Sequence, residues 1–217
     1  MIATENVRVT EIFYSLQGEG KTAGMPTVFV RLTGCPLRCQ YCDTEYAFSG
    51  GQTVTFDSIL AEVRRHQCPL VTITGGEPLA QPNCLGLMRL LCDEGFDVSI
   101  ETSGALSIAN CDPRVSVVLD LKTPGSGEVN RNDWNNLDAL SKKDQIKFVI
   151  CDERDYAWAK AKMLEGNLLD RAGEILLSPS FGQQCAQDLA QWILRDRLPV
   201  RMQLQLHKQI WGDEAGR

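Results

Sequence analysis

Seven short runs rich in β-branched and other apolar residues recur along the chain, and segments with helical periodicity separate several of them. These runs are predicted strands, and they cover 27–32, 70–74, 97–101, 115–121, 145–151, 174–178 and 200–206. Their near-continuous apolar character is typical of strands that are buried on both faces. Alternation of such strands with helices favours a parallel sheet with right-handed crossovers. The pattern therefore predicts an α/β fold.

Helical segments are predicted between some of these strands but not between all of them. The links before and after the strand at 115–121 are too short or too polar for full helices. A closed eight-fold barrel typically takes about 250 residues, so we expect an incomplete, TIM-like βα barrel with its site at the C-terminal ends of the strands. The predicted helices are 58–66 capped by Asp57, 84–94 capped by Asn83 and stopping at Gly95, one from Asp152 or Asp155 to Leu164, and 184–195.

Composition narrows the class of protein. Of the 217 residues, 43% are hydrophobic and 23% are charged, which is enough to bury a core and excludes an intrinsically disordered chain. No apolar run approaches the roughly 20 residues that a membrane helix needs, and the N-terminus does not read as a signal peptide. We therefore expect one domain over residues 1–217, located in the cytoplasm and without a membrane partner. The net charge of −6 argues against a nucleic-acid partner.

The chain contains nine cysteines, which in a reducing compartment favours metal binding over a disulfide framework. A free cysteine that is buried behaves as a small hydrophobic residue. We interpret the scattered cysteines as packing residues; they are Cys68, Cys84, Cys92, Cys111, Cys151 and Cys185.

The remaining three cysteines form a CxxxCxxC loop directly after the strand at 27–32. A structural zinc normally takes four ligands, often as two CxxC pairs, and this chain has no second pair. Three thiolates on one loop suit a four-iron cluster in which one iron is left open. Zinc binding and accidental clustering remain the alternatives, and the iron–sulfur cluster is the favoured interpretation.

The CxxxCxxC spacing, with Tyr41 just before the last cysteine, resembles the cluster loop of the radical S-adenosylmethionine (SAM) enzymes. Their second motif is present as GGEP at 75–78, after the strand at 70–74. Glycines at such a position let the backbone approach a ligand. The resemblance implies that Cys35, Cys39 and Cys42 hold a 4Fe–4S cluster and that SAM occupies the open iron. It also implies the incomplete βα barrel.

Further motifs make the resemblance more specific, because they are not general features of radical SAM enzymes. They are IFYSLQGEG at 12–20, Arg31, CDT at 42–44, ETSG at 101–104 and QLHK at 205–208. With these, nearly the whole chain is similar to the 7-carboxy-7-deazaguanine synthases. That family implies a carbon–nitrogen lyase of queuosine biosynthesis that converts 6-carboxy-5,6,7,8-tetrahydropterin to 7-carboxy-7-deazaguanine and ammonia. It also implies Mg²⁺, an electron donor of flavodoxin or ferredoxin type, and a homodimer.

The resemblance extends to the roles of single residues. Glu101 is expected to do acid–base or radical-stabilising work, and the Thr44 hydroxyl, a hard oxygen ligand, is expected to bind Mg²⁺. Substrate contacts are expected from Leu16, Gln17, Gly18, Arg31, Thr74 and His207. SAM contacts are expected from Tyr41, Cys42, Asp43, Gly76, Glu77, Asp120, Leu121, Lys122, Ser178, Pro179, Ser180 and Phe181.

The sequence departs from the family pattern at three places. Asp120-Leu121-Lys122 replaces a segment that often reads Ser-Pro-Lys, Ser178–Phe181 replaces one often written Gln-Pro, and the chain ends in Gly-Arg. Two rival functions stay open: a glycyl-radical-activating enzyme, which also carries CxxxCxxC, and a zinc-stabilised binding module. Single residues have simpler alternatives as well, since Glu101 could form a salt bridge and His207 could pack in the core.

Overall fold

A nine-stranded sheet runs through the computed structural model, which describes residues 5–212, 214 and 216. The strand order is β3-β1-β2-β4-β5-β6-β7-β8-β9. Strands β2 and β4 to β9 are parallel, whereas β1 pairs antiparallel with both β2 and β3. The strands are β1 (Asn6–Leu16), β2 (Pro26–Leu32), β3 (Gln52–Thr55), β4 (Leu70–Gly75), β5 (Asp97–Thr102), β6 (Ser116–Asp120), β7 (Gln145–Ile150), β8 (Glu174–Pro179) and β9 (Arg201–Met202).

The described sheet does not close, because β3 and β9 form its two edges and do not pair with each other. The prediction of an incomplete barrel is thus confirmed. In the part of the chain that the structure describes, no α-helix lies between β5 and β7, as predicted, and none is long and apolar enough to cross a membrane. The helices are α1 (Phe56–Arg65), α2 (Cys84–Asp93), α3 (Glu153–Glu165), α4 (Leu168–Arg171), α5 (Ala186–Asp196) and α6 (Leu206–Trp211).

The helix starts differ in part from the predicted caps. Thr55 caps α1 by accepting a hydrogen bond from the Ser58 N–H, so the prediction of Asp57 as the cap is wrong. Asn83 stands at the N-cap position of α2, but its side chain donates to the Asn6 carbonyl instead. Asp152 caps α3, which resolves the choice that the sequence left open.

Two strands were not predicted and one is much shorter than expected. β3 is an edge strand and β1 lies between it and β2; of the β1 residues only Val7 and Val9 are buried. The predicted strand at 200–206 shrinks to Arg201–Met202, and Leu206 already begins α6. All nine cysteines are free; among the scattered ones Cys185 is exposed, so its interpretation as a packing residue is wrong.

The two faces of the sheet differ in chemistry, although the strands look apolar as a whole. In β4, Val71 and Ile73 belong to the hydrophobic core beneath the helices. Thr72 and Thr74 alternate with them and line cavities inside the open barrel, as Lys147 of β7 does. The prediction that these strands are buried on both faces is confirmed for β4, β6, β7 and β8, and polar residues such as Thr72, Thr74 and Lys147 are among those buried on the concave face.

Candidate active site

A cavity of about 530 Å³ lies at the C-terminal ends of the parallel strands. Four of the predicted site residues, Glu77, Leu121, Ser178 and Pro179, are buried behind its wall. The other predicted residues line the cavity: Leu16, Gln17, Gly18, Arg31, Cys35, Cys39, Tyr41, Cys42, Asp43, Thr44, Thr74, Gly76, Glu101, Asp120, Lys122, Ser180, Phe181 and His207.

The cysteine loop follows β2 and turns all three thiols toward the cavity. Within the loop, the Cys42 N–H donates to the Cys39 carbonyl at 3.1 Å. A neighbouring loop supports it, since the Gln40 N–H donates to the Ser126 carbonyl at 3.0 Å. Burial raises the pKa of Cys35 and Cys42 and raises that of Cys39 to about 11. Metal binding must therefore displace protons from these thiols.

The number of thiols on the loop distinguishes between two metal centres. Among the residues that the structure describes, no three His, Cys, Asp or Glu side chains are gathered so that they could hold one metal ion. A structural zinc needs four ligands that converge on one point. The cysteines of a four-iron cluster bind different irons, so three thiols distributed around one loop fit a cluster with one iron left open.

The GGEP segment packs directly against the cysteine loop. The Glu77 N–H donates to the Gly34 carbonyl at 2.7 Å. A Cβ atom on Gly76 would lie 2.4 Å from the Gly34 oxygen and 2.7 Å from the Cys35 Cβ, so only glycine fits there. The two motifs, far apart in sequence, thus form one continuous surface at the ends of β2 and β4.

The Glu77 side chain points away from this surface. Its fully buried carboxylate accepts hydrogen bonds from the Thr102 hydroxyl at 2.9 Å, the Ser103 N–H at 2.7 Å and the Leu79 N–H at 3.0 Å. Glu77 therefore ties the end of β5 to the loop after β4. This placement fixes the position of the β5 end, where Glu101 lies.

A buried network of charges forms one wall of the cavity. Lys122 Nζ lies 3.2 Å from Asp120 Oδ2, and Lys147 Nζ lies 3.6 Å from the same oxygen while also pairing with Glu19. Burial disfavours the two ammonium groups, but Asp120 beside Lys122 and Glu19 beside Lys147 raise their pKa above the usual value. Both lysines stay charged. The family motifs assign no role to Glu19 or Lys147.

Three residues of the predicted SAM set carry buried polar atoms without a hydrogen-bond partner in the described part of the chain. These atoms are Asp120 Oδ1, the Tyr41 hydroxyl and Ser178 Oγ. An unpaired polar atom in a protein interior is unfavourable, and such atoms commonly mark a bound ligand or water. The wall is therefore suited to a polar ligand.

Glu101 and Gln17 face each other across the interior of the barrel. Gln17 Nε2 donates to Glu101 Oε1 at 3.3 Å, and the Thr74 hydroxyl donates to Glu101 Oε2 at 2.9 Å. Burial, with the negative charge of Glu19 as the next cause, raises the pKa of Glu101. A carboxyl group with a raised pKa is suited to exchanging a proton near neutral pH.

Arg31 lines the cavity and has a partner within the sheet. The β1–β2 pairing places Glu11 opposite Arg31, and Arg31 Nε donates to Glu11 Oε1 at 2.8 Å. The guanidinium also lies over the rings of Phe13 and Tyr46, 5.5 and 5.8 Å from their centroids. These contacts fix the direction in which the guanidinium faces the cavity.

Thr44 lies beside the cysteine loop and is bonded to its neighbour. Its hydroxyl donates to Asp43 Oδ1 at 2.7 Å, and Lys208 Nζ lies 3.6 Å from Asp43 Oδ2. Burial would raise the pKa of Asp43, but the hydrogen bond from Thr44 and the charge of Lys208 lower it below its ordinary value. Asp43 is therefore ionised at neutral pH.

The C-terminal segment at 203–207 meets the LQGEG loop at the mouth of the cavity. The Leu206 N–H donates to the Gly18 carbonyl at 3.0 Å, and Gln205 Nε2 donates to Glu19 Oε1 at 2.9 Å. Burial lowers the pKa of His207, so its imidazole is neutral at pH 7. The terminal Arg217, where the sequence departs from the family, lies outside the described residues.

Comparison with known proteins places these features in a family. The radical SAM superfamily matches residues 29–122, the stretch that contains both the cysteine loop and GGEP. The 7-carboxy-7-deazaguanine synthase of Chlorobaculum tepidum is 45% identical over 212 residues, which cover 96% of this chain and 96% of that protein. The synthase of Koribacter versatilis is 44% identical over 224 residues, which cover 96% and 99%.

A solved structure supports the same relationship. QueE from Escherichia coli matches with a TM-score of 0.75 and 26% identity over 93% of this chain and 95% of that one. The similarity extends well beyond the two motifs of the superfamily and includes both ends of the described sheet. The chain therefore belongs to the 7-carboxy-7-deazaguanine synthase family of radical SAM enzymes.

Proposed function

We propose that this protein converts 6-carboxy-5,6,7,8-tetrahydropterin to 7-carboxy-7-deazaguanine with loss of ammonia. The observation that carries the proposal is the shared cavity, which brings the cysteine loop and GGEP together with Gln17, Arg31 and Glu101. When bound, the 4Fe–4S cluster and SAM supply the radical chemistry that removes a hydrogen atom from the substrate. The protein's own side chains bind the pterin, orient it and exclude water.

Arg31 is the proposed partner of the substrate carboxylate. Its Nε already donates to Glu11, so the terminal Nη donors are the atoms proposed to bind the carboxylate oxygens. The ring contacts with Phe13 and Tyr46 hold the guanidinium plane in place. Pre-fixed donors bind more tightly because less side-chain entropy is lost on binding.

The pterin ring is proposed to lie between Glu101 and the C-terminal segment. Leu16, Gln17, Gly18, Thr74 and His207 all line that part of the cavity. Glu101 is the proposed proton-exchanging group, supported by its burial and by its hydrogen bonds from Gln17 and Thr74. His207, neutral at pH 7, is proposed to exchange hydrogen bonds with the pterin.

SAM is proposed to lie along the opposite wall. The buried polar atoms of Asp120 and Tyr41, which line the cavity and lack a partner among the described residues, support this assignment. The close approach of Gly76 to the cysteine loop supports a backbone contact, since no side chain intervenes. Lys122, Asp43, Ser180 and Phe181 line the same side of the cavity.

Mg²⁺ is proposed to bind at Thr44. Its hydroxyl is a hard oxygen, and the lone pairs of that oxygen stay available because the hydrogen is donated to Asp43. The described residues contain no cluster of three acidic, His or Cys side chains that could hold an ion. This suits Mg²⁺, which commonly keeps several waters and takes few protein ligands. The substrate carboxylate and water are proposed to complete its coordination.

Two partners are part of the proposal. A one-electron donor of flavodoxin or ferredoxin type is proposed because the cluster must be in its reduced state before SAM can be cleaved. A homodimer, and one domain over residues 1–217, follow from the family; the sheet that runs from Asn6 to Met202 supports the single domain. Sedimentation of the purified protein would test the dimer.

The test is an anaerobic assay of cluster-loaded protein with SAM, a reductant, Mg²⁺ and the tetrahydropterin, followed by mass spectrometry. We expect 7-carboxy-7-deazaguanine from wild-type protein and from Cys185→Ala, which removes an exposed cysteine outside the cavity. We expect none from Cys39→Ala. Cleavage of SAM without any deazaguanine would instead favour a different radical SAM enzyme, and a colourless zinc protein would contradict the proposal entirely.

A further inference from the structure

The amide of Gln17 is bonded at three points inside the barrel. Its Nε2 donates to Thr72 Oγ1 at 3.1 Å and to Glu101 Oε1 at 3.3 Å, while its Oε1 accepts the Glu19 N–H at 3.2 Å. A backbone N–H can only donate and an ionised carboxylate can only accept. The orientation of the amide is therefore fixed by its partners, with the nitrogen toward Glu101 and the oxygen toward Glu19.

Thr72 is in turn bonded to Ser99. The β4–β5 pairing places the two residues side by side, and their hydroxyl oxygens are 2.8 Å apart. Thr72 can thus accept from Gln17 and give its own proton to Ser99. Thr72 is 1% exposed and Gln17 is 5% exposed, so bulk solvent does not reach this hydrogen bond. Both hydroxyls border a chamber of about 30 Å³ below the main cavity.

These contacts decide what Gln17 can offer to a ligand. Both amide hydrogens are engaged, one by Thr72 and one by Glu101. The oxygen accepts one hydrogen bond from Glu19 and has a second lone pair. Gln17 lines the cavity, and the hydrogen bond that its amide can still offer a ligand is as an acceptor, which matches an N–H group of the ligand.

We propose that Thr72, supported by Ser99, is a positioning residue that holds the Gln17 amide with its N–H on Glu101 and its oxygen available to an N–H of the bound pterin. This inference rests on the proposed function, in which Gln17 contacts the substrate. Without the Thr72 hydroxyl, one buried N–H of Gln17 loses its acceptor, and the amide gains freedom to rotate away from Glu101.

The test compares Thr72→Val with Thr72→Ser in cluster-loaded enzyme. Valine keeps the volume and branching of threonine but removes the hydroxyl, whereas serine keeps the hydroxyl. We expect kcat/KM for the tetrahydropterin to fall about tenfold in Thr72→Val and to stay near the wild-type value in Thr72→Ser. Ser99→Ala should give a smaller loss in the same direction.

The pH profile of kcat/KM provides a second test, because loss of a purely structural residue would not shift it. A hydrogen bond donated to a carboxylate favours its ionised form, so losing the Gln17 N–H should raise the pKa of Glu101. The other groups that face Glu101, namely Glu19, Arg31, Lys147 and the Thr74 hydroxyl, are unchanged in both variants. The acid limb of kcat/KM should therefore move to higher pH in Thr72→Val and stay in place in Thr72→Ser.

Binding supplies a readout that does not depend on turnover. Calorimetric titration of cluster-loaded protein with 6-carboxypterin, a stable oxidised analogue, should show weaker binding in Thr72→Val than in Thr72→Ser. Equal losses in the two variants, or a Thr72→Val enzyme with the kcat/KM and pH profile of the wild type, would overturn this inference alone. Absence of deazaguanine from wild-type protein would overturn the proposed function instead.

Discussion

Any side chain at residue 18 would collide with His207, and Gly18 has none. A Cβ atom at residue 18 would lie 2.0 Å from His207 Nδ1, while the backbone of the same residue bonds to Leu206. Glycine is needed at residue 18 because a side chain would not fit there, and not because the backbone has an unusual conformation. His207 can therefore lie against the LQGEG loop only because residue 18 is glycine.

Gly18→Ala should displace His207 and lower kcat/KM by about 10- to 100-fold, because small displacements of binding groups have large effects on turnover. The check is a double-mutant cycle with His207→Ala, read out by product formation. If the clash is the cause, adding Gly18→Ala to His207→Ala should change kcat/KM by less than about twofold. A large additional loss in the double variant would show that residue 18 acts by another route.

Glu101→Gln should stop turnover and stabilise the fold at neutral pH. Burial raises the pKa of Glu101, so the ionised side chain that is present above this pKa destabilises the folded protein relative to the unfolded chain. Glutamine removes the charge and can still bond to Gln17 and Thr74. We expect Tm at pH 7.5 to rise by about 2–4 °C, and the gain to shrink as the pH falls from the folded pKa of Glu101 to the ordinary value of a glutamate, because wild-type Glu101 takes up its proton over that range.

Thermal unfolding across the pH range checks this, with the surface variant Glu153→Gln as control. A gain in Tm that stays constant with pH would contradict the linkage argument. The combination of higher stability and lost activity is expected at a site where function demands a buried charge.

At the scale of single residues, the sequence predicted which side chains share the cavity better than it predicted their directions. Glu77 follows two glycines at a strand end, which suggested a side chain facing a ligand. Two of its donors, Thr102 at the end of β5 and Ser103 directly after it, are distant in sequence, so their proximity could not be inferred from local sequence. A buried ion pair at Lys147 could be expected from the sequence, because a lone lysine in an apolar strand needs a buried partner. That partner, Glu19, is distant in sequence.

At the scale of elements, the segment at 123–126, after β6, supports the cysteine loop. The carboxylate of Asp155 holds this segment in place. Asp155, in the first turn of α3, accepts hydrogen bonds from the Thr123 hydroxyl at 2.9 Å, the Gly125 N–H at 2.8 Å and the Cys151 N–H at 3.1 Å. The Ser126 carbonyl of this segment in turn accepts a hydrogen bond from the Gln40 N–H of the cysteine loop. Helix α3 is thereby connected to the loop that carries the thiols.

Asp155→Asn should loosen this segment, because it places an N–H₂ group where an acceptor is needed. We expect the free energy of unfolding to fall by about 2 kcal/mol. We also expect the cluster to lose iron faster to a chelator than in wild-type protein. Urea unfolding and the decay of cluster absorbance measure the two effects, with Asp170→Asn on the exposed face of α4 as control. Unchanged iron loss would mean that the segment does not support the loop.

Elements with strong periodicity were predictable and those fixed by distant contacts were not. The strands β2 and β4 to β8 coincide closely with the predicted runs, since each carries alternating aliphatic residues against the helices. The predicted strand at 200–206 has an equally apolar pattern. In the structure its chain leaves the sheet after Met202, and Gln203 and Gln205 bond to the LQGEG loop instead. These hydrogen bonds require the folded LQGEG loop, so the sequence of 200–206 alone does not indicate them.

Across the whole molecule, buried charges connect parts of the chain that the sheet alone leaves apart. Glu19 belongs to the loop after β1, Lys147 to β7 and Asp120 to β6. Lys147 pairs with Glu19 and lies near Asp120, so one ammonium group joins the antiparallel edge region to the middle of the sheet. An open barrel needs such a connection because its edge strands do not pair.

Lys147→Met should leave Glu19 without the ammonium group it pairs with inside the protein, whereas Asp120 keeps its pair with Lys122. We expect the free energy of unfolding to fall by about 3 kcal/mol or more, since breaking a buried ion pair exposes an uncompensated charge. Lys162→Met, which removes a surface pair with Glu165, should change it by less than about 1 kcal/mol. Chemical denaturation at neutral pH provides the comparison, and similar values for the two variants would contradict this role for Lys147.

The segment at 203–207, which completes the mouth of the cavity, follows every other described part of the site in the chain. During synthesis, the cysteine loop therefore leaves the ribosome long before this segment exists. A growing chain has the thiols that receive iron, yet it has no finished pocket in which to hold a pterin. The capacity to enclose the substrate is therefore acquired last, when the end of the site has been synthesised.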